Sequence, residues 1–186
     1  MNMRKISIKE FKKRRFERSY ISVYIVIRSI SVENEQEIEV KNLCVIYGFT
    51  ALGVRRIIAI YFENTNDNRF WLGVFEDLKA RNLQNIMFLV TPQNKNIERC
   101  AKIIYNNIEI IRSPEDIMSA IDRYFATKTS RTLEIQLKNL ILAEDIEKCE
   151  ENIELFKQQY LHNRLVLEVF KRQEDDIKKL YKYNYD

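Results

Sequence analysis

The stretch 69–90, RFWLGVFEDLKARNLQNIMFLV, decides the fold because the hydrophobic period changes inside it. From Arg69 to Arg81 the apolar residues Phe70, Trp71, Val74, Phe75 and Leu78 recur at steps of three and four. That is one face of a helix, with Glu76, Asp77 and Lys79 on the other. Asn82 ends it. Ile86 to Val90 (IMFLV) is then wholly apolar and short, a strand that closes at Thr91-Pro92. Ahead of the helix, Asn64 to Asn68 (NTNDN) is a capping cluster in which Asn66, Asp67 or Asn68 accepts from first-turn amides.

Working outward, Ile21 to Val32 (ISVYIVIRSISV) is β-branched and aromatic. Its near-continuous apolar first half predicts a central strand buried on both faces. Ile38 to Thr50 (IEVKNLCVIYGFT) is a second strand, Ala51-Leu52-Gly53 a turn, and Val54 to Glu63 (VRRIIAIYFE) a third strand. Short connections make the three an antiparallel meander. Downstream, Asn94 to Tyr105 is a second helix with Ile97, Ala101 and Ile104 inward, and Ile108 to Ile111 a fifth strand. Strands that follow helices are expected to run parallel. From Ser113-Pro114, a cap and a first-turn proline, everything reads as helix, with a break near 126–131. The order strand-strand-strand-helix-strand-helix-strand is that of an α/β, ribonuclease-H-like core. The expected domains are a basic arm at 1–19, the core at 20–112 and a helical region at 113–186, with the 21–32 strand central beside 86–90.

Composition narrows the function. The chain has 186 residues, 46% hydrophobic and 31% charged, with only 3 Gly and 2 Pro. A soluble globule fits; a glycine-cradled nucleotide site does not. Cys44, Cys100 and Cys149 stand far apart and read as buried thiols in a reducing, cytoplasmic setting. With His162 the only histidine, a zinc site and a Ser-His-Asp triad are both disfavoured. His162, in LHNR between two helices, reads as an exposed or capping imidazole. No apolar run reaches the roughly 18 residues of a membrane helix, so no membrane partner is expected. The net charge is +4, yet residues 1–18 hold eight basic side chains against two acidic ones. The rest of the chain holds 23 basic and 25 acidic residues. Lys12, Lys13, Arg14, Arg15 and Arg18 are therefore the candidate nucleic-acid contacts, neutralising phosphates without reading sequence. The opposing view is that Phe11 and Phe16 anchor an amphipathic turn with its basic side in water.

Several stretches resemble the Mutator family of DDE transposases. RFWLGVFEDLKARN at 69–82 is similar to the family's Lys-Phe-Trp-Leu helix and the segment after it. NIMFLV at 85–90 resembles the strand before the second catalytic aspartate, and YISVYIVIRSISV at 20–32 the first catalytic strand. LKNLILAEDIEKCEENIELFKQQY at 137–160, with EVFKRQEDDIKKLY after it, is similar to the helical insertion. The likeness covers 14–183 in order. It implies an aspartate where this chain has Val26, and an aspartate-glycine pair where it has Thr91-Pro92. The family's cysteine and histidine fall on Ile111 and Pro114, and its third acid, a glutamate, falls past Asp186. It also puts the basic arm on the approach to the former active site. Two-metal phosphoryl transfer needs converging carboxylates, so no catalytic residue and no cofactor is assigned.

The expectation is a catalytically inactive, shortened transposase relative that binds DNA through its arm or pairs with an active transposase or itself. An alternative is a protein-interaction module whose helical half docks a partner. A third is a metal-dependent nuclease with rearranged acids, Glu63 and Asp67 being the nearest spare ones. Both acids read as cap or surface residues. Trp71 and Phe70 read as core rather than a base-stacking platform, and Tyr181, Tyr183 and Tyr185 as a frayed end.

Overall fold

A computed structural model describes residues 14–33, 38–63, 67–122 and 130–181. The chain divides into two compact units, Met1–Ile110 and Ile111–Asp186. The first carries β1 (Ser19–Glu33), β2 (Ile38–Phe49), β3 (Arg55–Glu63), α1 (Asn68–Ala80), β4 (Asn85–Thr91) and α2 (Lys95–Ile104). β5 (Glu109–Arg112) runs across the boundary. One sheet holds all five strands in the order β3-β2-β1-β4-β5. β1 pairs antiparallel with β2 and parallel with β4, and β2 pairs antiparallel with β3. An antiparallel meander whose first strand gains a parallel neighbour through a helical crossover is the ribonuclease-H-like topology. β1 is central, as its apolar run predicts, and beside β4, as the element order predicts.

Period-two alternation sends Val23 and Ile25 of β1 and Cys44 and Ile46 of β2 to one face. There they meet Trp71, Val74, Phe75 and Leu78 of α1 and Ile97, Cys100 and Ala101 of α2 in one core. β1 is not fully buried on both faces, however. Its other face carries Ser22, Tyr24 and Val26, all half-buried. Tyr24 stacks on its cross-strand partner Tyr47 at 4.9 Å, and the Arg55 guanidinium lies 4.3 Å over Tyr47. Tyrosine tolerates this position because its ring packs while its hydroxyl stays in water. The register of β2 against β3 shifts after Ile46, so that Ile46 faces Ala59 while Tyr47 faces Ile57. This bulge leaves Ile58 as the extra residue and buries both Ile58 and Ala59. At Gly48 a Cβ would stand 2.8 Å from Tyr20 Cδ1 and 2.9 Å from the Ser22 carbonyl, so only glycine lets β2 lie this close to β1.

The helix ends follow their local chemistry. Asp67 caps α1 by accepting from the Phe70 amide at 2.8 Å, and Asn82 stops it with φ +82°, a left-handed turn that asparagine tolerates. Asn94 caps α2 through the amides of Asn96 and Ile97.

The second unit holds α3 (Pro114–Asp122), α4 (Ser130–Ile141), α5 (Ile146–Gln159) and α6 (Arg164–Lys179). Their stripes close on one core that includes Ile117, Leu137, Cys149, Phe156 and Phe170. Ser113, Asp145 and Asn163 cap α3, α5 and α6 by accepting from Asp116, Lys148 and Val166 amides. Of the expected break at 126–131, residues 126–129 lie outside the described residues; α4 already includes Ser130 and Arg131. Tyr181 corrects the expectation of a frayed end. It is 8% exposed, and its hydroxyl donates to the Leu140 carbonyl at 2.6 Å while accepting from the Ala143 amide at 2.9 Å. Two long-range hydrogen bonds and its place in the core outweigh its position near the chain end. Tyr183 and Tyr185 lie outside the described residues.

Candidate functional site

Two parallel neighbours, β1 and β4, bring together the positions at which the resemblance implies acids. Tyr24 of β1 is paired with Val90 of β4, so in the same register Thr91, the last residue of β4, falls level with Ile25, and Val26 lies one residue further along β1. Val26 sits opposite Val45 of β2, which in turn faces Ile60 of β3. It is half-buried in an aliphatic row. Thr91 is 1% exposed, and its hydroxyl donates to the Pro92 carbonyl at 3.2 Å. Neither an isopropyl group nor a buried neutral hydroxyl supplies the anionic oxygens that magnesium needs. These two side chains do not fit a pair of magnesium ions.

The other acids nearby are placed elsewhere. The Asp67 carboxylate accepts from the Phe70 amide at the start of α1. Glu63 pairs through its backbone with Asn42 at the end of β3, and its side chain lies outside those described. No group of three His, Cys, Asp or Glu able to hold a metal occurs among the described residues. Ile111 is buried, and Pro114 starts α3. His162 is exposed between α5 and α6.

The cysteines are core residues. All three are free and buried. Burial pushes the Cys44 thiol up to about 12 and the Cys149 thiol up to about 11, and raises Cys100 as well. A buried thiol that holds its proton is not a nucleophile at neutral pH. The sign for stability follows. The folded values lie above the ordinary value, so the folded chain binds these protons more tightly than the unfolded one. That contribution is complete below about pH 9 and drains away as pH climbs toward the folded values. The buried hydroxyls of Tyr61 and Tyr105, also pushed up by desolvation, act in the same direction. Melting temperature is therefore expected to drop steeply above about pH 9. Thiol reagents at pH 8 should modify the cysteines only once denaturant is added. Immediate modification of the native protein would contradict the buried placement.

The arm is placed differently from expectation. Phe16 is buried at 8% exposure, and its amide donates to the Arg81 carbonyl at 2.9 Å. Asn82 Nδ2 donates to the Phe16 carbonyl at 3.0 Å, Arg81 Nε donates to the Arg14 carbonyl, and the Arg81 guanidinium lies 4.2 Å over the Phe16 ring. Phe16 thus anchors the segment, while Arg14, Arg15 and Arg18 are exposed. Lys12, Lys13 and Phe11 lie outside the described residues. The Arg18 carbonyl accepts from the amides of Gln84 and Asn85, at the very start of β4. Thr91 is at the other end of that strand, about 20 Å away at strand rise. The described arm therefore adjoins the end of the sheet opposite Val26 and Thr91. This placement follows from the parallel direction of β4 against β1, which the element order already implies.

Sheet order, crossover and the β1–β4 junction together define a ribonuclease-H-like protein. A family model described as "Transposase, Mutator family" matches residues 3–186, and the chain belongs to that family. It is similar to the transposase for insertion sequence element ISRM3 of Rhizobium meliloti (strain 1021). The two are 24% identical over 161 residues, which is 83% of this chain and 38% of that protein. It is also similar to a probable transposase for an ISRM3-like element of Sinorhizobium fredii (strain NBRC 101917 / NGR234). Identity there is 22%, over the same shares of both proteins. The chain thus spans 38% of the length of these curated relatives. Among solved structures, the Drosophila P element transposase strand transfer complex aligns with 98% of this chain and 48% of that one. The TM-score is 0.36 and the identity 10%. No helix of the described residues is long and apolar enough to cross a membrane.

Proposed function

We propose that this chain serves as a non-catalytic Mutator-type transposase core that holds duplex DNA through its N-terminal basic arm. The observation that carries the reading is the pair Val26 and Thr91 at the β1–β4 junction. A two-metal reaction clamps attacking and leaving oxygens between ions held by carboxylates, and neither residue offers one. What remains is binding. Arg14, Arg15 and Arg18 stand exposed on a segment that Phe16 and Arg81 hold to the core. A pinned arm presents its charges at little further cost in ordering, which favours contact with a phosphate backbone. Through such binding the chain competes for DNA with an active relative, or pairs with one on it.

Two measurements test this. With magnesium or manganese, purified protein should neither nick nor join DNA; joining that copurifies with the chain would overturn the non-catalytic part. Labelled duplex titrated at two salt concentrations should give a slope of log affinity against log salt of roughly −3 to −6. Changing Lys12, Lys13, Arg14 and Arg15 together to alanine should weaken all sequences alike, because phosphate contacts position without specifying. Equal, feeble binding by both proteins would leave the arm a solvated face.

A further inference from the structure

The first unit holds a cleft that the β1–β4 junction does not use. It has a volume of about 570 Å³ and lies across the end of the sheet where β1 and β4 begin. Ser19, Lys79, Gln84, Asn85, Asn106 and Asn107 supply its polar lining, over an apolar floor that includes Tyr20 and Ile86. None of the lining residues carries a carboxylate. Lys79 donates one proton to the Ile104 carbonyl at 2.9 Å, which fixes the ammonium at the cleft with two donors still to give. Gln84 is held in place by donating to the Lys79 carbonyl at 2.9 Å, and Asn85 by donating to Ser19 Oγ at 3.1 Å. Asn106 and Asn107 are exposed on the turn that follows α2.

The surroundings extend the same chemistry. The arm with Arg14, Arg15 and Arg18 leads into β1 at this end. The β2–β3 turn lies here too, since Phe49 pairs with Ser22, and it leads into Arg55 and Arg56. Burial and the carboxylate of Glu17 raise the Tyr20 hydroxyl most, and Arg14 and Arg56 act on it in the opposite sense. The nearby acids are Glu17 on the arm and Asp77, and Asp77 is already bound by Arg81 at 3.2 Å and by the Tyr61 hydroxyl at 3.1 Å. A single small anion would need one such group of donors. Cations spread along the whole end of the sheet, with an amide-lined trough between them, match a ligand whose negative charges repeat every few ångströms.

We infer that this cleft takes the phosphodiester backbone of duplex DNA, as a second contact surface continuous with the arm and on the opposite end of the core from Val26 and Thr91. The inference rests on the DNA-holding reading above and adds where the duplex runs. Lys79 and Arg56 neutralise phosphates, and the asparagine amides donate to phosphate or sugar oxygens without selecting a base.

The test uses the full chain and a labelled duplex of about two turns, at several salt concentrations. The cleft variant carries Lys79→Gln and Arg56→Gln. A milder one carries Asn107→Asp alone, an exposed turn change that brings a negative charge to the cleft and disturbs no buried group. Circular dichroism checks that each is folded. The cleft variant should bind roughly tenfold or more weakly at low salt, with a salt slope shallower by about two. Asn107→Asp should weaken binding several-fold and more so as salt is lowered. If both variants bind like the parent while the arm variant loses binding, the cleft is overturned and the arm reading stands. If the cleft variants lose binding and the arm variant does not, the cleft stands and the arm assignment falls. Equal, feeble binding by parent and all variants overturns both.

Discussion

Replacing Trp71 with alanine is expected to remove about 3–5 kcal/mol of stability, the range for emptying a buried large aromatic site. Trp71 is the single tryptophan of the chain and is 1% exposed. It packs edge-on against Phe70 at 5.0 Å and tilted against Phe75 at 6.3 Å, and it joins α1 to the sheet through Val23, Ile25 and Ile46 in the same core. Helix and sheet both bound the space, so neither collapses into the void. A loss of that size is a large part of the roughly 5–15 kcal/mol that holds a domain folded. Urea unfolding followed by far-UV circular dichroism measures it, since the variant has lost its fluorescent probe. Trp71→Phe, which keeps most of the volume, should lose much less. A Trp71→Ala midpoint close to the parent's would show that α1 does not clamp the sheet.

Arg112→Ala should cost a similar amount, about 3–5 kcal/mol, for an electrostatic reason rather than a packing one. Arg112 is 8% exposed at the end of β5. Its guanidinium donates to Asp116 of α3, to Gln173 of α6 and, at 3.5 Å, to Asp176 of α6. These three acceptors come from two helices far apart in the chain, and the planar fork of arginine is what reaches them together. Alanine takes the guanidinium away from two half-buried carboxylates, of which Asp176 keeps Lys179 at 3.7 Å, and leaves a buried amide oxygen without its donor. Arg112→Lys should recover part of the loss, because it restores the charge but not the fork. An Arg112→Lys variant no more stable than Arg112→Ala would mean that the charge contributes nothing at this position.

Most of the local structure was legible in the sequence. Phe70, Trp71, Val74, Phe75 and Leu78 read as a helix face because their spacing repeats the helical turn. Asp67 is one of three cap candidates, with Asn66 and Asn68, because a short acceptor before such a face can reach only the first-turn amides. The central place of β1 was legible in its apolar density, and Val26 and Thr91 stood out because a valine and a threonine occupy positions where the resemblance implies acids. The chain's own letters decide such features, since each depends on neighbours within four or five residues.

Other features became visible only in three dimensions. The half-open second face of β1 depends on the register that stacks Tyr24 on Tyr47. The bulge at Ile58 depends on how β3 meets β2. Tyr181 is core because Leu140 and Ala143, some forty residues earlier, fold onto it. The cleft beside the arm depends on how the starts of β1 and β4 meet the turn after α2. Periodicity tells which side of a strand or helix faces inward. It does not tell which strand lies alongside, in which direction or in what register, because those depend on contacts whose partners are far apart along the chain.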